Sequence, residues 1–233
     1  MERNNQAPEK PVKDDGQVLA VNSIFRTIQG EGPFVGMPAT FVRLAGCNLQ
    51  CPLCDTEYTT RKVVSVDDIV QIVSDRHVIH VPDLVVITGG EPFRQPIELL
   101  VNALLKEGYR VQIETNGTLY RKLDFTHERL TVVCSPKASS VNRNLLPWIA
   151  AFKYVATADS LDSASGLPVH ALEHPNAKGL FWPPPGHRAE VYLQPVDEQD
   201  DERNARNLRA VVQACRQHGH RLCLQVHKII NLP

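Results

Sequence analysis

Apolar and polar positions along this chain fall into two kinds of segment that alternate. The first kind is short and apolar or strictly alternating: residues 18–27, 39–44, 84–88, 110–114, 131–134, 152–157, 190–194 and 221–227. Their length and β-branched content predict strands, and the unbroken run Leu84-Val85-Val86-Ile87-Thr88 predicts a parallel strand covered on both faces. The second kind carries apolar residues at helical spacing. Ile69, Val70, Ile72 and Val73 predict a helix that begins at Ser65 as N-cap, with Asp68 three residues on. Residues 97–107 predict a second helix closed by Gly108, and residues 202–218 a late helix closed by Gly219.

Strands alternating with helices or loops predict an α/β fold built on parallel strands. Good helices are too few for a complete eight-fold barrel, so the expectation is an incomplete, reduced (β/α) barrel. Glycine-rich or polar residues follow the strands at Gly89-Gly90-Glu91-Pro92, Thr115-Asn116-Gly117 and Ser135-Pro136-Lys137, where such folds keep their sites. Residues 18–233 are expected to form one domain after a disordered tail at 1–17. Residues 158–188, bracketed by Ser-, Gly- and Pro-rich stretches, break the rhythm and predict either a functional flap or a poorly ordered insertion. His170 and His174 within it have a metal-compatible spacing, although solvated loop histidines are the plainer reading.

Charge changes this picture little. Lys and Arg number 25 against 26 Asp and Glu, so bulk electrostatics point to neither a nucleic acid nor a membrane partner. No apolar run approaches the roughly 20 residues of a membrane span, and residues 1–17 lack a signal-peptide pattern. A soluble, cytoplasmic protein is expected.

The cysteines change it most. Cys134, Cys215 and Cys223 are scattered in apolar segments, as buried small hydrophobes are. Cys47, Cys51 and Cys54 are instead bunched as C-x3-C-x2-C with no fourth cysteine nearby. A closed zinc site needs four ligands, and the fourth would have to come from a distant Cys or His. Three thiolates on one loop can hold three irons of a cubane cluster and leave the fourth iron open.

Together with Gly89-Gly90-Glu91-Pro92 downstream, this loop resembles the radical S-adenosylmethionine superfamily. There the open iron chelates S-adenosylmethionine, whose reductive cleavage releases a 5′-deoxyadenosyl radical. The blocks Thr27-Ile28-Gln29-Gly30-Glu31-Gly32, Phe41-Val42-Arg43-Leu44-Ala45-Gly46-Cys47-Asn48-Leu49, Cys54-Asp55-Thr56, Ile113-Glu114-Thr115-Asn116-Gly117, Ser135-Pro136-Lys137, Leu193-Gln194-Pro195 and Gln225-Val226-His227-Lys228 through Pro233 narrow the resemblance to the 7-carboxy-7-deazaguanine synthase family.

That resemblance implies conversion of 6-carboxy-5,6,7,8-tetrahydropterin to 7-carboxy-7-deazaguanine with loss of ammonia, on the route to queuosine. It implies a [4Fe-4S] cluster on Cys47, Cys51 and Cys54, Mg2+ at Thr56, an electron donor such as flavodoxin, and a homodimer. S-adenosylmethionine would meet Leu53, Cys54, Asp55, Gly90, Ser135, Pro136, Lys137 and Gln194. The pterin would meet Ile28, Gln29, Gly30, Glu31, Arg43, Thr88, Glu114, His227 and Pro233, with no protein catalytic residue beyond the cluster and cofactor. Glu31 and Gln29 suit a guanidine-like edge and Arg43 a carboxylate. Leu53 stands where the family often has an aromatic, Val226 replaces the usual threonine, and residues 158–188 have no counterpart. The competing expectations are a glycyl-radical activase, or a non-catalytic zinc or iron–sulfur module.

Overall fold

The computed structural model describes residues 4–75, 84–171 and 179–233. In chain order it contains β1 (Val18–Ile28), β2 (Pro38–Leu44), β3 (Lys62–Ser65), α1 (Val66–Asp75), β4 (Leu84–Gly89), α2 (Glu98–Lys106), β5 (Arg110–Thr115), β6 (Leu130–Cys134), β7 (Ile149–Ala156), β8 (Glu190–Pro195), α3 (Asp201–His218), β9 (Arg221–Leu222) and α4 (Val226–Ile229). The strands form one nine-stranded sheet in the order β3-β1-β2-β4-β5-β6-β7-β8-β9. From β2 to β9 every pairing is parallel. β1 is antiparallel to both β2 and β3, because the short turn after β1 can only return the chain alongside itself.

The reduced-barrel expectation stands. Among the described residues the crossovers from β5 to β6, β6 to β7 and β7 to β8 carry no α-helix. The sheet is not closed by strand pairing. The segment after β9 bridges back instead: Val226 N–H donates to Gly30 O at 3.1 Å, and Thr27 Oγ1 to Pro233 O at 2.8 Å.

Period-two alternation gives the sheet two different faces. Val85, Ile87, Val111 and Ile113 pack with Ile69 and Val73 of α1 and Leu100, Val101 and Leu104 of α2 in the main core. Leu84 and Val86 bury on the other side, against Ala39. That second face also carries Arg43, Thr88, Glu114, Lys153 and Gln194, which all line one cleft.

Helix signals hold as expected. Ser65 Oγ accepts from Asp68 N–H at 3.1 Å, and Gly108 and Gly219 take left-handed φ of 88° and 74° after α2 and α3. Two expectations are corrected. Residues 221–227 are not one strand: pairing stops at Leu222, and His227 sits on α4, whose N-terminal Val226 is tied to Gly30. Residues 4–17 are not a free tail. Asn4 N–H donates to Pro52 O at 2.9 Å, Glu9 N–H to Cys47 O at 2.7 Å and Val12 N–H to Arg94 O at 2.7 Å. β3 was not expected either; its four residues are half exposed and give little apolar pattern.

The long connection between β7 and β8 is fastened on either side of the undescribed residues: His220 Nε2 lies 2.8 Å from Ser165 O, and two bonds hold Phe181. Phe181 N–H donates to Ala138 O at 2.8 Å and Tyr154 Oη to Phe181 O at 2.8 Å. His170 is described, whereas His174 lies outside the described residues.

Candidate functional site

The three clustered cysteines follow β2 directly. Gly46 N–H donates to Tyr58 O at 2.7 Å, and Glu91 N–H to Gly46 O at 3.0 Å, so the cysteine loop and the glycine-rich turn after β4 touch backbone to backbone. A Cβ on Gly90 would strike the Gly46 carbonyl and the Cys47 side chain. Only glycine permits this approach. Glu91 is fully buried below the turn and accepts from Phe93 N–H, Thr115 Oγ1 and Asn116 N–H at 3.0, 2.7 and 2.7 Å. Burial pushes its carboxyl up to about 7 against the opposing pull of those donors.

Residues 4–9 strap the outer side of the loop. Asn4 Nδ2 donates to Cys51 O at 3.1 Å and Gln6 Nε2 to Thr56 O at 2.8 Å. All three thiols are free, with Cys47 and Cys51 buried and Cys54 partly so. Burial pushes Cys47 up to about 12 and Cys51 up to about 11, and raises Cys54. Bare thiols here stay protonated, so it is metal charge that would turn them into thiolates. Among the described residues no three His, Cys, Asp or Glu side chains converge as ligands of a single ion. Cys47, Cys51 and Cys54 all line one cleft, and three thiolates can serve three corners of a cubane cluster, whereas a tetrahedral zinc would need a fourth ligand.

The cleft also holds a hydrogen-bonded carboxylate network. Glu114 accepts from Gln29 Nε2 at 3.1 Å, Gln112 Nε2 at 2.8 Å and Thr88 Oγ1 at 3.4 Å. Glu31 accepts from Lys153 Nζ on one oxygen and from Gln225 Nε2 at 2.9 Å on the other. Burial raises Glu31, but the Lys153 ammonium and the Gln225 hydrogen bond overcome it and hold the carboxyl at about 2. His227 is pressed against Gly30, where a Cβ would overlap its imidazole. Burial lowers the His227 pKa, with Glu31 pulling the other way.

Arg43 lines the same cleft, paired across the sheet with Thr88. Its guanidinium carbon stands 5.5 Å over the Phe25 ring, which stacks on Phe41 at 5.4 Å. Its Nε is buried with no hydrogen-bond partner. In the same cleft, Lys137 Nζ donates to Ser135 O at 2.9 Å and to Ser135 Oγ at 2.5 Å. Thr56 Oγ1 lies 3.3 Å from Asp55 Oδ1, and Lys228 Nζ lies 2.9 Å from Asp197 and 3.9 Å from Asp55.

These groups share a cleft of about 360 Å³. Of the residues singled out from the sequence, Cys47, Cys51, Leu53, Cys54, Asp55, Thr56, Gly90, Ser135, Lys137 and Gln194 line it, as do Ile28, Gln29, Glu31, Arg43, Thr88, Glu114, His227 and Pro233. Gly30 and Pro136 do not. Sequence reasoning missed Lys153, Gln225, Asp197 and Asn116, which also line it. Lys153 had a visible signal, a lone lysine within the apolar run Ile149-Ala150-Ala151-Phe152-Lys153-Tyr154-Val155. Asn116 and Gln225 stood inside motif blocks that were noticed, without a role of their own, and Asp197 had no signal.

Residues 42–134 match the Radical SAM superfamily. The 7-carboxy-7-deazaguanine synthase of Rhodospirillum rubrum is 44% identical over 234 residues, covering 95% of this chain and 96% of that protein. The enzyme of the same name from Rickettsia prowazekii is 39% identical, covering 94% and 90%. The crystal structure of QueE from Escherichia coli matches with a TM-score of 0.66 at 23% identity over 89% of this chain and 93% of that one, a likeness of fold. With its cysteine loop and acidic pocket facing across one cleft, the chain belongs to the 7-carboxy-7-deazaguanine synthase family of radical S-adenosylmethionine enzymes.

Proposed function

We propose that this enzyme contracts 6-carboxy-5,6,7,8-tetrahydropterin to 7-carboxy-7-deazaguanine with release of ammonia. The observation that carries the reading is the make-up of one cleft: it is lined by three free thiols, by the hydrogen-bonded, largely buried carboxylates Glu31 and Glu114, and by Arg43, whose buried Nε–H has no partner. When bound, a [4Fe-4S] cluster with S-adenosylmethionine supplies the radical chemistry. The protein's own share is positioning and exclusion of water.

Cys47, Cys51 and Cys54 would hold the cluster. Leu53, Asp55, Gly90, Ser135, Lys137 and Gln194, all facing the cleft, would hold the cofactor. Lys137, partly buried and hydrogen-bonded to Ser135, offers a cation to a carboxylate. Glu31, Gln29 and Glu114 present acceptors to the donor edge of the pterin, with Thr88 beside them. Arg43 offers its free Nε–H to the pterin carboxylate, and His227 and Pro233 cover the pocket where α4 folds over Gly30. Thr56, with Asp55 beside it, offers an oxygen to Mg2+, an ion that takes few protein oxygens and keeps water or substrate oxygens.

The same membership carries further expectations: a homodimer, an electron donor such as flavodoxin, and a cytoplasmic site of action for the queuosine route. Among the described residues no helix is long and apolar enough to cross a membrane. Residues 4–17 belong with 18–233 to one domain, as their hydrogen bonds to the cysteine loop and to Arg94 support.

The decisive assay is anaerobic incubation of reconstituted protein with the pterin, S-adenosylmethionine, Mg2+ and a reductant. Formation of 7-carboxy-7-deazaguanine and ammonia is expected, and absence of product from protein with intact cluster overturns the reading.

A further inference from the structure

Lys153 is a residue the fold alone does not require. It stands in β7 between Phe152 and Tyr154, which both join the main core. Its own side chain faces the cleft, 10% exposed, and pairs with Glu31, 12% exposed. The pair links β7 to the loop after β1 across 122 residues of sequence. A buried ion pair is often matched or bettered in stability by apolar residues of similar volume. A pair kept at the lining of a cleft therefore points to recognition. Each Glu31 oxygen already accepts one hydrogen bond, from Lys153 or from Gln225, which fixes the carboxylate and leaves each a further lone pair.

We propose that Lys153 is a positioning residue for substrate specificity: with Gln225 it holds the Glu31 carboxylate fixed and ionised, as the acceptor for the amino–imino edge of the pterin. The proposal rests on the pterin reading above and adds to it the group that makes Glu31 work. Glu31 is faced by Lys153 from β7 and by Gln225 and His227 from the segment around α4. Lys153 is faced in turn by Glu31, by Glu114 from β5, by Cys223, and by Lys137 at longer range. Removing the ammonium leaves burial as the largest influence on Glu31, and burial favours the neutral acid. A protonated Glu31 offers a donor where the pterin edge needs an acceptor.

The test compares wild type, Lys153→Met, Lys153→Arg and the double variant Lys153→Met with Glu31→Gln, each reconstituted with cluster. Pterin and S-adenosylmethionine affinities are measured anaerobically, together with iron content, from about pH 6 to about pH 9. Lys153→Met should bind the pterin about tenfold more weakly at about pH 8, and more weakly still as pH falls. Wild type should show no such pH dependence from Glu31, and Lys153→Arg should restore most of the affinity. Cofactor affinity and iron content should not move.

Wild-type pterin affinity with a flat profile in Lys153→Met overturns the proposal, and so does a parallel loss of cofactor affinity and iron, the mark of a merely structural role. If Lys153→Met fails to fold, the double variant has no buried charge to leave unpaired. It should fold and bind the pterin about tenfold more weakly without pH dependence; wild-type affinity there also overturns the proposal. Wild type that binds no pterin overturns the function reading itself, whereas wild-type binding with an indifferent Lys153→Met removes Lys153 alone.

Discussion

Arg43 shows how a single side chain can be set up for a ligand before the ligand arrives. Its position in β2 puts it on the cleft face, and Phe25 and Phe41 form an aromatic ledge under the guanidinium. Packing on that ledge orients the planar group, while Nε is left buried without a protein acceptor. A buried donor costs free energy until an acceptor reaches it, so an anionic group there gains more than it would at an exposed arginine. Arg43→Leu should therefore raise the KM for the pterin about 10- to 100-fold, with S-adenosylmethionine affinity unchanged. Equal loss of both affinities in equilibrium binding would show that Arg43 serves the fold instead. Arg43 was legible through the family resemblance of the block Phe41-Val42-Arg43-Leu44-Ala45-Gly46-Cys47 that leads into the cysteines. Lys153 was passed over for want of a neighbouring motif, although its place among Phe152 and Tyr154 is anomalous. Gln225 gains its meaning only from Glu31, a contact across 194 residues that no local pattern encodes.

At the scale of elements, the segment from Asn4 to Gly16 carries a role that its composition hides. It is polar and contains two prolines, the pattern of a chain that cannot bury enough apolar surface to order itself. It orders by another route, donating and accepting hydrogen bonds along the cysteine loop. Asn4 reaches the Cys51 carbonyl and the Tyr58 hydroxyl, Gln6 accepts from Tyr58 N–H at 2.6 Å, and Glu9 N–H reaches the Cys47 carbonyl. The Glu9 carboxylate also pairs with Arg61 at 2.5 Å and with Arg94 at 3.3 Å. Side-chain to backbone bonds of this kind have no sequence period, which is why periodicity finds helices but not straps. Removing residues 1–9 should leave far-UV circular dichroism nearly unchanged, yet the visible absorbance of the reconstituted protein should decay faster in the presence of an iron chelator. Unchanged chelation kinetics would mean that the cysteine loop holds its shape without the strap. The double substitution Asn4→Ala with Gln6→Ala should give a smaller effect in the same direction.

Across the whole molecule, the sheet is a barrel that stops short. Seven strands run parallel from β2 to β9, and the other edge is finished by β1 and β3, with β1 antiparallel to both its neighbours. The parallel core was legible because its strands are apolar enough to be covered on both faces, and the missing helices because helical spacing is absent between β5 and β8. The way the gap is spanned was not legible, since the five residues after β9, 223–227, read as more strand. Val226 pairs with Gly30, His227 packs on the same glycine, and Pro233 accepts from Thr27, so the segment from α4 onward ties the β9 edge to the end of β1 beside the proposed pterin pocket. Removing Leu232 and Pro233 takes away the Thr27 bond and one wall of the cleft without touching the cysteine loop. The truncated enzyme should therefore show a higher KM for the pterin with cofactor affinity and iron content retained. Amide exchange around residues 27–30 should quicken, while β4 and β5 stay protected, because the loss is local to the seam. Unchanged pterin kinetics would free this segment from the site; exchange quickening throughout β4 and β5 would instead make it a support of the entire sheet.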